Sequence, residues 1–458
     1  MNLKLLLGLA LCVGLIPAAS AASKHAKESR WDNCEKLVMA GYQGWFRGDG
    51  KDGTKAPWQQ WGKSSQIDDE HMAVDQWPDM TEYERKYTCP FKLLDGSPAT
   101  VFSSLDASTT DLHCRWMREY GIDAMAFQRF YWMLKKNDHR DGDALKVLKN
   151  CLESTKKEGR AFMLMYDLSN YSQDEDHAEV LIRDFKRLVD DYQMTGGQKT
   201  HYLYYQGKPL VCLWGIGHGG KKGSGPHRYE VKKFIEFLKH DPEYGNCAIM
   251  LGVPCYFAER KYDCSSAKEL TEIFALADIF SPWNGGRYAT TDNDFLGVYG
   301  ETFGERLAKD LAYCKSKHQE YAPTVYPGFS WYNAMRTGEG LDGPFGAIPR
   351  RKGHCYWGLW ERVVKAGCRI VFIGMFDEFN ESTAIMKSTD NTPALVKSKY
   401  IPTENMGADH YLWLTQQAVQ MFKAGKQLPE VMPVRPGAKQ LPMEWGQSIN
   451  RQVKGQRK

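Results

Sequence analysis

Residues 369–387 read RIVFIGMFDEFNESTAIMK. The stretch opens on Ile370, Val371, Phe372 and Ile373, an unbroken apolar run rich in β-branching. Such a run suits a strand buried on both faces. It then meets three acids, Asp377, Glu378 and Glu381. Burying charge is costly unless the charge is paired, so packing alone does not explain three carboxyls at a buried strand's end. The stretch predicts the last strand of a barrel, delivering two catalytic glutamates.

The rest of the chain supplies the barrel. Apolar strand-like runs fall at 36–42, 124–127, 161–166, 209–214, 248–253, 278–282, 324–327 and 369–375. Helical periods separate them, at 111–120, 143–157, 177–192, 229–239, 267–277, 301–317 and 353–366, with a last one at 408–424. Strict strand–helix alternation means parallel strands joined by helical crossovers. Eight repeats predict an α/β fold, a closed (β/α)8 TIM barrel, and no GxGxxG follows the first strand. The segment from 43 to about 109, rich in Gly, Asp and Trp, reads as one long loop after strand 1. The predicted organisation is a signal peptide over 1–21, one catalytic domain over 34–428, and a basic, irregular tail over 429–458.

The 458 residues carry a formal net charge of +4, with 42% hydrophobic and 25% charged residues. That balance is ordinary for a globular chain and gives no reason to expect a nucleic-acid partner. Lys4, the apolar run 5–16 and Ala19-Ser20-Ala21 form the n-region, h-region and small-x-small site of a signal peptide. No later stretch is long and apolar enough to span a bilayer, so the expectation is an exported protein, secreted or periplasmic, with no integral membrane segment. Of twelve cysteines one lies in the signal peptide, and no CxxC pair occurs. The more polar Cys34, Cys89, Cys255 and Cys264 are the candidates for a disulfide in an exported chain. No metal-ligand spacing, calcium loop or cofactor motif is present.

Barrels of this kind place chemistry at the C-terminal ends of their strands. Reading those ends in order gives Tyr42, Gln43 and Trp45; Gln128, Arg129 and Tyr131; Tyr166, Asp167 and Asn170; His218; Pro254, Cys255 and Tyr256; Trp283 and Asn284; Trp331, Tyr332 and Asn333; then Asp377, Glu378 and Glu381. Aromatic faces stack on sugar rings, while amides, carboxylates and Arg bind hydroxyls. Glycosidic cleavage commonly uses two carboxyl groups, one as acid and one as base or nucleophile. Glu378 and Glu381 are the expected catalytic pair. Asp377, Asp167, Gln128, Arg129, Tyr42, Gln43, Trp45, Tyr166, Trp283 and Trp331 are the expected substrate-binding or supporting residues. Each has a plainer reading: Trp45, Trp58 and Trp61 as anchors of the long loop, Arg129 as an ion-pair partner of Asp167, His218 as a loop-ordering residue, and Lys221 and Lys222 as solvated charges.

The phrases GYQGWF (41–46), WMREYGIDAMAFQRF (116–130) and FDEFNESTAIMK (376–387) resemble a broad group of exported proteins related to glycoside hydrolase families 71 and 99. Members often carry xylosidase or arabinosidase labels. DEFNEST (377–383) is similar to the E-x-x-E site of family 99, whose members are endo-α-mannosidases and endo-α-mannanases on (β/α)8 barrels. The resemblance implies a retaining hydrolase of α-linked, mannan-type glycans. Glu378 would remove the proton of the sugar's own 2-hydroxyl, which closes a 1,2-anhydro intermediate. Glu381 would protonate the leaving oxygen and later activate water. The family's site often reads N-E-W-H-E-G, and Asp377, Phe379, Asn380 and Ser382 depart from it. A further family glutamate has Asp167, one methylene shorter, as its nearest match. A catalytically silent carbohydrate-binding barrel, or a hydrolase of xylose- or arabinose-containing glycans, keeps the same rim.

Overall fold

The computed structural model describes residues 22–134, 139–168, 177–218, 229–290, 295–341 and 343–436. The stretch 1–21 expected to be a signal peptide, Asn170, Lys221, Lys222 and the tail beyond 436 lie outside the described residues. Within them the apolar runs form one parallel barrel: β1 (Leu37–Tyr42), β2 (Ala124–Phe130), β3 (Ala161–Asp167), β4 (Lys208–Trp214), β5 (Ala248–Pro254), β6 (Ile279–Trp283), β7 (Glu320–Tyr321 and Thr324–Val325) and β8 (Ile370–Ile373). Each strand pairs in parallel with the next in sequence, and β8 pairs with β1 (Val371 opposite Val38), which closes the ring. The seventh strand is broken at Ala322-Pro323. Its first half pairs with β6 (Phe280 opposite Tyr321) and its second with β8 (Thr324 opposite Phe372). A proline has no N–H to give a sheet ladder, and here it marks the break between the two partners.

Helices cross between the strands: α1 (Ala107–Glu119), α2 (His139–Lys157), α3 (His177–Tyr192), α4 (Tyr229–His240), α5 (Leu270–Ala275) and α6 (Phe303–Ser316). Then α7 (Tyr332–Glu339) sits in the β7 loop, α8 (His354–Lys365) makes the next crossover, and α9 (His410–Lys423) follows β8. Several predicted bounds shift. Helices α1 and α2 each begin four residues earlier than expected, α5 keeps only six residues, and β2 and β3 run on to Phe130 and Asp167. Helix α7 and two antiparallel hairpins (Tyr87–Lys92 with Pro98–Val101, Tyr288–Thr290 with Phe295–Gly297) were not expected. The segment 43–109 is therefore no plain loop. Trp61, Trp77, Tyr83 and Phe102 are buried in it.

Side chains alternate across the strands. Inward positions hold Leu37, Met39, Ala124, Ala126, Met163, Met165, Cys212, Met250, Ile279, Ile370 and Phe372, packed as one cluster with Trp31 and Cys34 from the N-terminal segment. Large flexible methionines facing alanines fill the interior, so the barrel is a packed core rather than a pore. Outward positions such as Val38, Phe127, Leu164, Leu213, Leu251 and Val371 pack against the helices. No helix among the described residues is long and apolar enough to cross a membrane.

All eleven described cysteines are thiols, Cys34, Cys89, Cys255 and Cys264 included. No disulfide forms among the described residues: Cys34 and Cys89 lie on separate elements, and Cys255 and Cys264, which share the loop after β5, make contacts with different partners. Cys34 Sγ lies at the Tyr204 carbonyl, Cys255 Sγ at the Tyr288 hydroxyl and Cys264 Sγ at the Ser265 carbonyl. Two consequences are measurable. Gel mobility is expected to be the same with and without reductant, and these thiols are expected to react in denaturant without prior reduction. A reductant-dependent thiol count would contradict the packing.

Candidate active site

The loop after β8 is built to present its acids. Phe376 N–H donates to Gly41 O (2.8 Å), which continues the pairing with β1 beyond the strand. The chain then doubles back: Ile385 N–H donates to Met375 O (3.2 Å) and Met386 N–H to Phe376 O (3.1 Å). The Glu378 carbonyl accepts from both Thr383 N–H (3.1 Å) and Ala384 N–H (2.9 Å). Buried Arg350 holds the return from outside, donating to Ser382 O (2.9 Å) and Ala384 O (2.7 Å). Asn380 Nδ2 donates to Gln60 O and Ala73 O, which ties the loop to segment 43–109. Phe379 is buried against Trp61 (ring centroids 5.8 Å apart) rather than beside the acids. Glu378 and Glu381 therefore sit on a closed, braced turn.

Each acid has its own surroundings. Asp377 is buried, and its carboxylate accepts from the backbone N–H of Gln43 (2.8 Å) and Gly44 (2.9 Å). Burial pushes it up to about 7 against the pull of those two donors. It clamps the end of β1 to the end of β8. Glu378 is also buried and accepts a hydrogen bond from Gln43 Nε2. Burial, then Glu381 and Asp377, push its carboxyl well above the usual range. Glu381 is only partly buried. Burial pushes it up to about 7, Arg287 pulling against the shift and Asp167 adding to it. Asp377, Glu378, Glu381 and Asp167 thus share one patch, and interacting carboxyls of this kind titrate as a set. Such a set retains protons into the neutral range, as an acid–base pair requires.

The pleat sorts the other expected residues. Gln43, Gln128, Asp167 and Trp283 have the inward parity, and Gln128 Nε2 donates to Asp167 Oδ2 (3.4 Å). Tyr42, Arg129 and Tyr166 have the opposite parity and face the helices. Tyr42 Oη bonds His113 Nδ1 on α1 (2.9 Å), and Tyr166 Oη donates to Asp184 on α3 (2.9 Å). Arg129 is fully buried between Asp184 (2.6 Å) and Asp141 (2.6 Å). Its ion-pair partners are these two rather than Asp167, so its work is to fix helices to β2 and β3. Trp45 stacks on Phe130 (4.8 Å, 11°) at the end of β2. Trp331 lies beside Phe329 (5.5 Å) just before α7.

Several buried polar atoms here have no protein partner among the described residues: Gln43 Oε1, Gln128 Oε1, both amide atoms of Asn284, Trp45 Nε1 and Trp331 Nε1. Buried polar groups are rarely left unpaired. Six such atoms on the ends of β1, β2, β6 and β7 are what a polyhydroxylated ligand would satisfy.

Three contributors escaped sequence reading. Arg287, after β6, supplies the positive charge near Glu381 and pairs with Asp263 (3.0 Å). Trp214, at the end of β4, lies edge-on to Trp283 (6.1 Å, 85°). A side chain on Gly252 would strike Trp214, and one on Gly374 would strike Trp283, so glycine at both places seats the indoles. Buried Asp75, in segment 43–109, accepts from Ser330 Oγ (2.6 Å), Tyr332 N–H (2.7 Å) and Asn333 N–H (2.8 Å). Only a polar residue inside an aromatic-rich stretch marked it in the sequence.

No protein-family model matches the chain, and no curated protein matches it. Solved structures do. Two structures of the family 99 endo-α-mannosidase from Bacteroides thetaiotaomicron superpose with TM-scores of 0.55 and 0.54 at 14% identity. Each alignment covers 85% of this chain and 98% of that one, and one of the two holds bis-tris propane. The chain is thus similar in fold, over most of its length, to a glycoside hydrolase (β/α)8 barrel.

Proposed function

We propose that the protein is a retaining glycoside hydrolase of α-linked glycans, mannan-type chains first among them, with Glu378 and Glu381 as its working pair. The observation that carries the reading is the braced turn after β8. It holds two glutamates within a set of carboxyls, on a rim of buried polar atoms that lack protein partners. The carboxylates that are ionised in this set favour a transition state that gains positive charge, as an oxocarbenium-like sugar does.

The roles are those that the resemblance to family 99 implies, and exposure and partners support them. Glu381, partly exposed, is the acid that protonates the leaving oxygen and then the base that activates water. Glu378, buried and oriented by Gln43, takes the proton of the 2-hydroxyl as the sugar closes on itself, in the form of the coupled pair that holds a single proton, on Glu381. Asp377 and Asp167 shape the field around them. Asp167 is one methylene shorter than the glutamate that the resemblance places there, a change that weighs against strict mannose specificity. The N-terminal stretch with Lys4, the apolar run 5–16 and Ala19-Ser20-Ala21 supports export before the enzyme acts.

The first test is release of reducing ends from a panel of α-linked mannans, xylans and arabinans. Hydrolysis of at least one supports the reading, and none by the correctly folded protein contradicts it. The pH profile is a second. With Glu381 at about 7, kcat/KM is expected to fall above pH 7 as that proton is lost. Arg287→Gln removes the charge that opposes the shift, so the falling limb is expected to move to higher pH. A limb that stays in place, or moves down, contradicts the assignment of Glu381 as acid.

A further inference from the structure

The rim above β5 and β6 holds a second group of side chains that hydrolysis itself does not use. After β5 the chain makes a tight loop in which Asp263 accepts from Cys255 N–H (3.2 Å) and Tyr256 N–H (3.2 Å) and from Arg287 Nε (3.0 Å). Two residues in this loop take left-handed backbone angles, Arg260 (φ 52°) and Tyr262 (φ 54°). For a bulky aromatic that conformation is an outlier that persists only where the surroundings enforce it. It sets the Tyr262 ring face to face on Tyr299 (3.9 Å, 10°) and edge-on to Tyr256 (4.8 Å, 77°). The residue nevertheless remains 58% exposed.

The support below it is rigid. Arg306 lies over the Tyr256 ring (5.3 Å) and is itself held by Glu259 (2.7 Å), Glu301 (3.3 Å) and Asp310 (3.0 Å). The platform also connects to the catalytic loop. Asp263 leads to Arg287, and Trp214 leads through Trp283 to Gly374, where the loop of Glu378 and Glu381 begins. His218 closes the gap: its ring lies 5.4 Å from that of Trp214, and its backbone bridges to Cys264. Its Nε2 is buried without a protein partner among the described residues. Burial holds the ring well below the usual histidine range, at about 4, so at neutral pH it is uncharged.

We propose that this rim is an outer sugar subsite, in which the open face of Tyr262 stacks on a pyranose ring and His218 Nε2 and Arg287 hold its hydroxyls. An aromatic face matches the C–H face of a pyranose, and a ring fixed in advance loses little freedom when it binds. The subsite lies on the Arg287 side of the pair, the side of the acid Glu381, so it takes the leaving portion of the chain. The protein would then favour chains of three or more sugars over disaccharides. This inference rests on the hydrolase reading.

The test uses the Glu381→Gln protein, which binds without turnover, titrated calorimetrically with α-linked manno-oligosaccharides of two and four sugars. Adding Tyr262→Ala is expected to lower the tetrasaccharide-to-disaccharide affinity ratio about ten-fold, while Tyr262→Phe preserves the ratio. His218→Ala is expected to lower it in the same direction. An unchanged ratio in Tyr262→Ala, or an equal loss for both lengths, overturns the subsite and leaves the hydrolase reading standing. If neither oligosaccharide binds and the wild-type protein releases no reducing ends from any glycan, both fall together.

Discussion

Glu378→Gln and Glu381→Gln are each expected to lower turnover at least ~10²-fold, the lower range for a lost acid or base. The amide keeps the shape of the carboxyl but can neither give up nor accept the proton. Loss of fold would mimic loss of chemistry, and the raised carboxyl of Glu381 separates the two. Its folded pKa lies above the unfolded value of 4.5, at about 7. The folded state therefore binds more protons than the unfolded state between those values. The stability linked to this proton is full below about pH 4.5 and is lost as pH rises toward 7. A glutamine never ionises and escapes that loss, which by the size of the shift is at most about 3 kcal/mol. Glu381→Gln is thus expected to melt higher than wild type at pH 8 and together with it near pH 4. A variant that is inactive and less stable at pH 8 would point to damage rather than to chemistry.

Asp75→Ala is expected to be strongly destabilising although it lies outside the turn of Glu378 and Glu381. The Asp75 carboxylate accepts the first N–H groups of α7, from Tyr332 and Asn333, together with the Ser330 hydroxyl. Helix N-termini leave such donors unpaired unless a side chain accepts them. Asp75 N–H donates to Phe379 O (3.0 Å), and Ser330 N–H donates to Glu381 O (2.9 Å). One residue therefore joins segment 43–109, the β7 loop with Trp331, and the turn that carries Glu381. Removing it leaves buried donors unpaired at about 1–3 kcal/mol each, so a loss of about 3–5 kcal/mol is expected by denaturant titration. Burial raises Asp75 to about 6 against the pull of its donors, so Asp75→Asn tests the charge separately. It keeps an acceptor for one or two of the donors and is expected to fall between wild type and alanine. In a folded Asp75→Ala protein kcat is expected to drop more than KM changes, because the turn is displaced without loss of a substrate contact.

The barrel was legible because parallel strands buried on both faces leave a plain mark, a short apolar run before each helical period. The helix 177–192 has the bounds its apolar stripe predicts. The break in β7 was not legible, since Ala322-Pro323 means a change of pairing partner only once β6 and β8 flank it. At the site, position along the chain found the carboxyls but not the direction of each side chain. Counting parity back from Ala124 and Ala161, small residues of the barrel interior, would have separated Gln128 and Asp167 from Arg129 and Tyr166. Arg287 carried no local signal, and Asp75 only that of a polar residue in an aromatic-rich stretch. The first matters through Asp263 and Glu381, and the second through Ser330, a residue 255 positions away.

The most direct measurement is proton NMR of the anomeric region while the enzyme acts on an α-linked manno-oligosaccharide. New reducing-end signals are expected in which the α anomer appears first and the β anomer follows by mutarotation, with neither signal in the Glu378→Gln, Glu381→Gln double variant. First appearance of the β anomer, or equal release by the double variant, would contradict the proposed function.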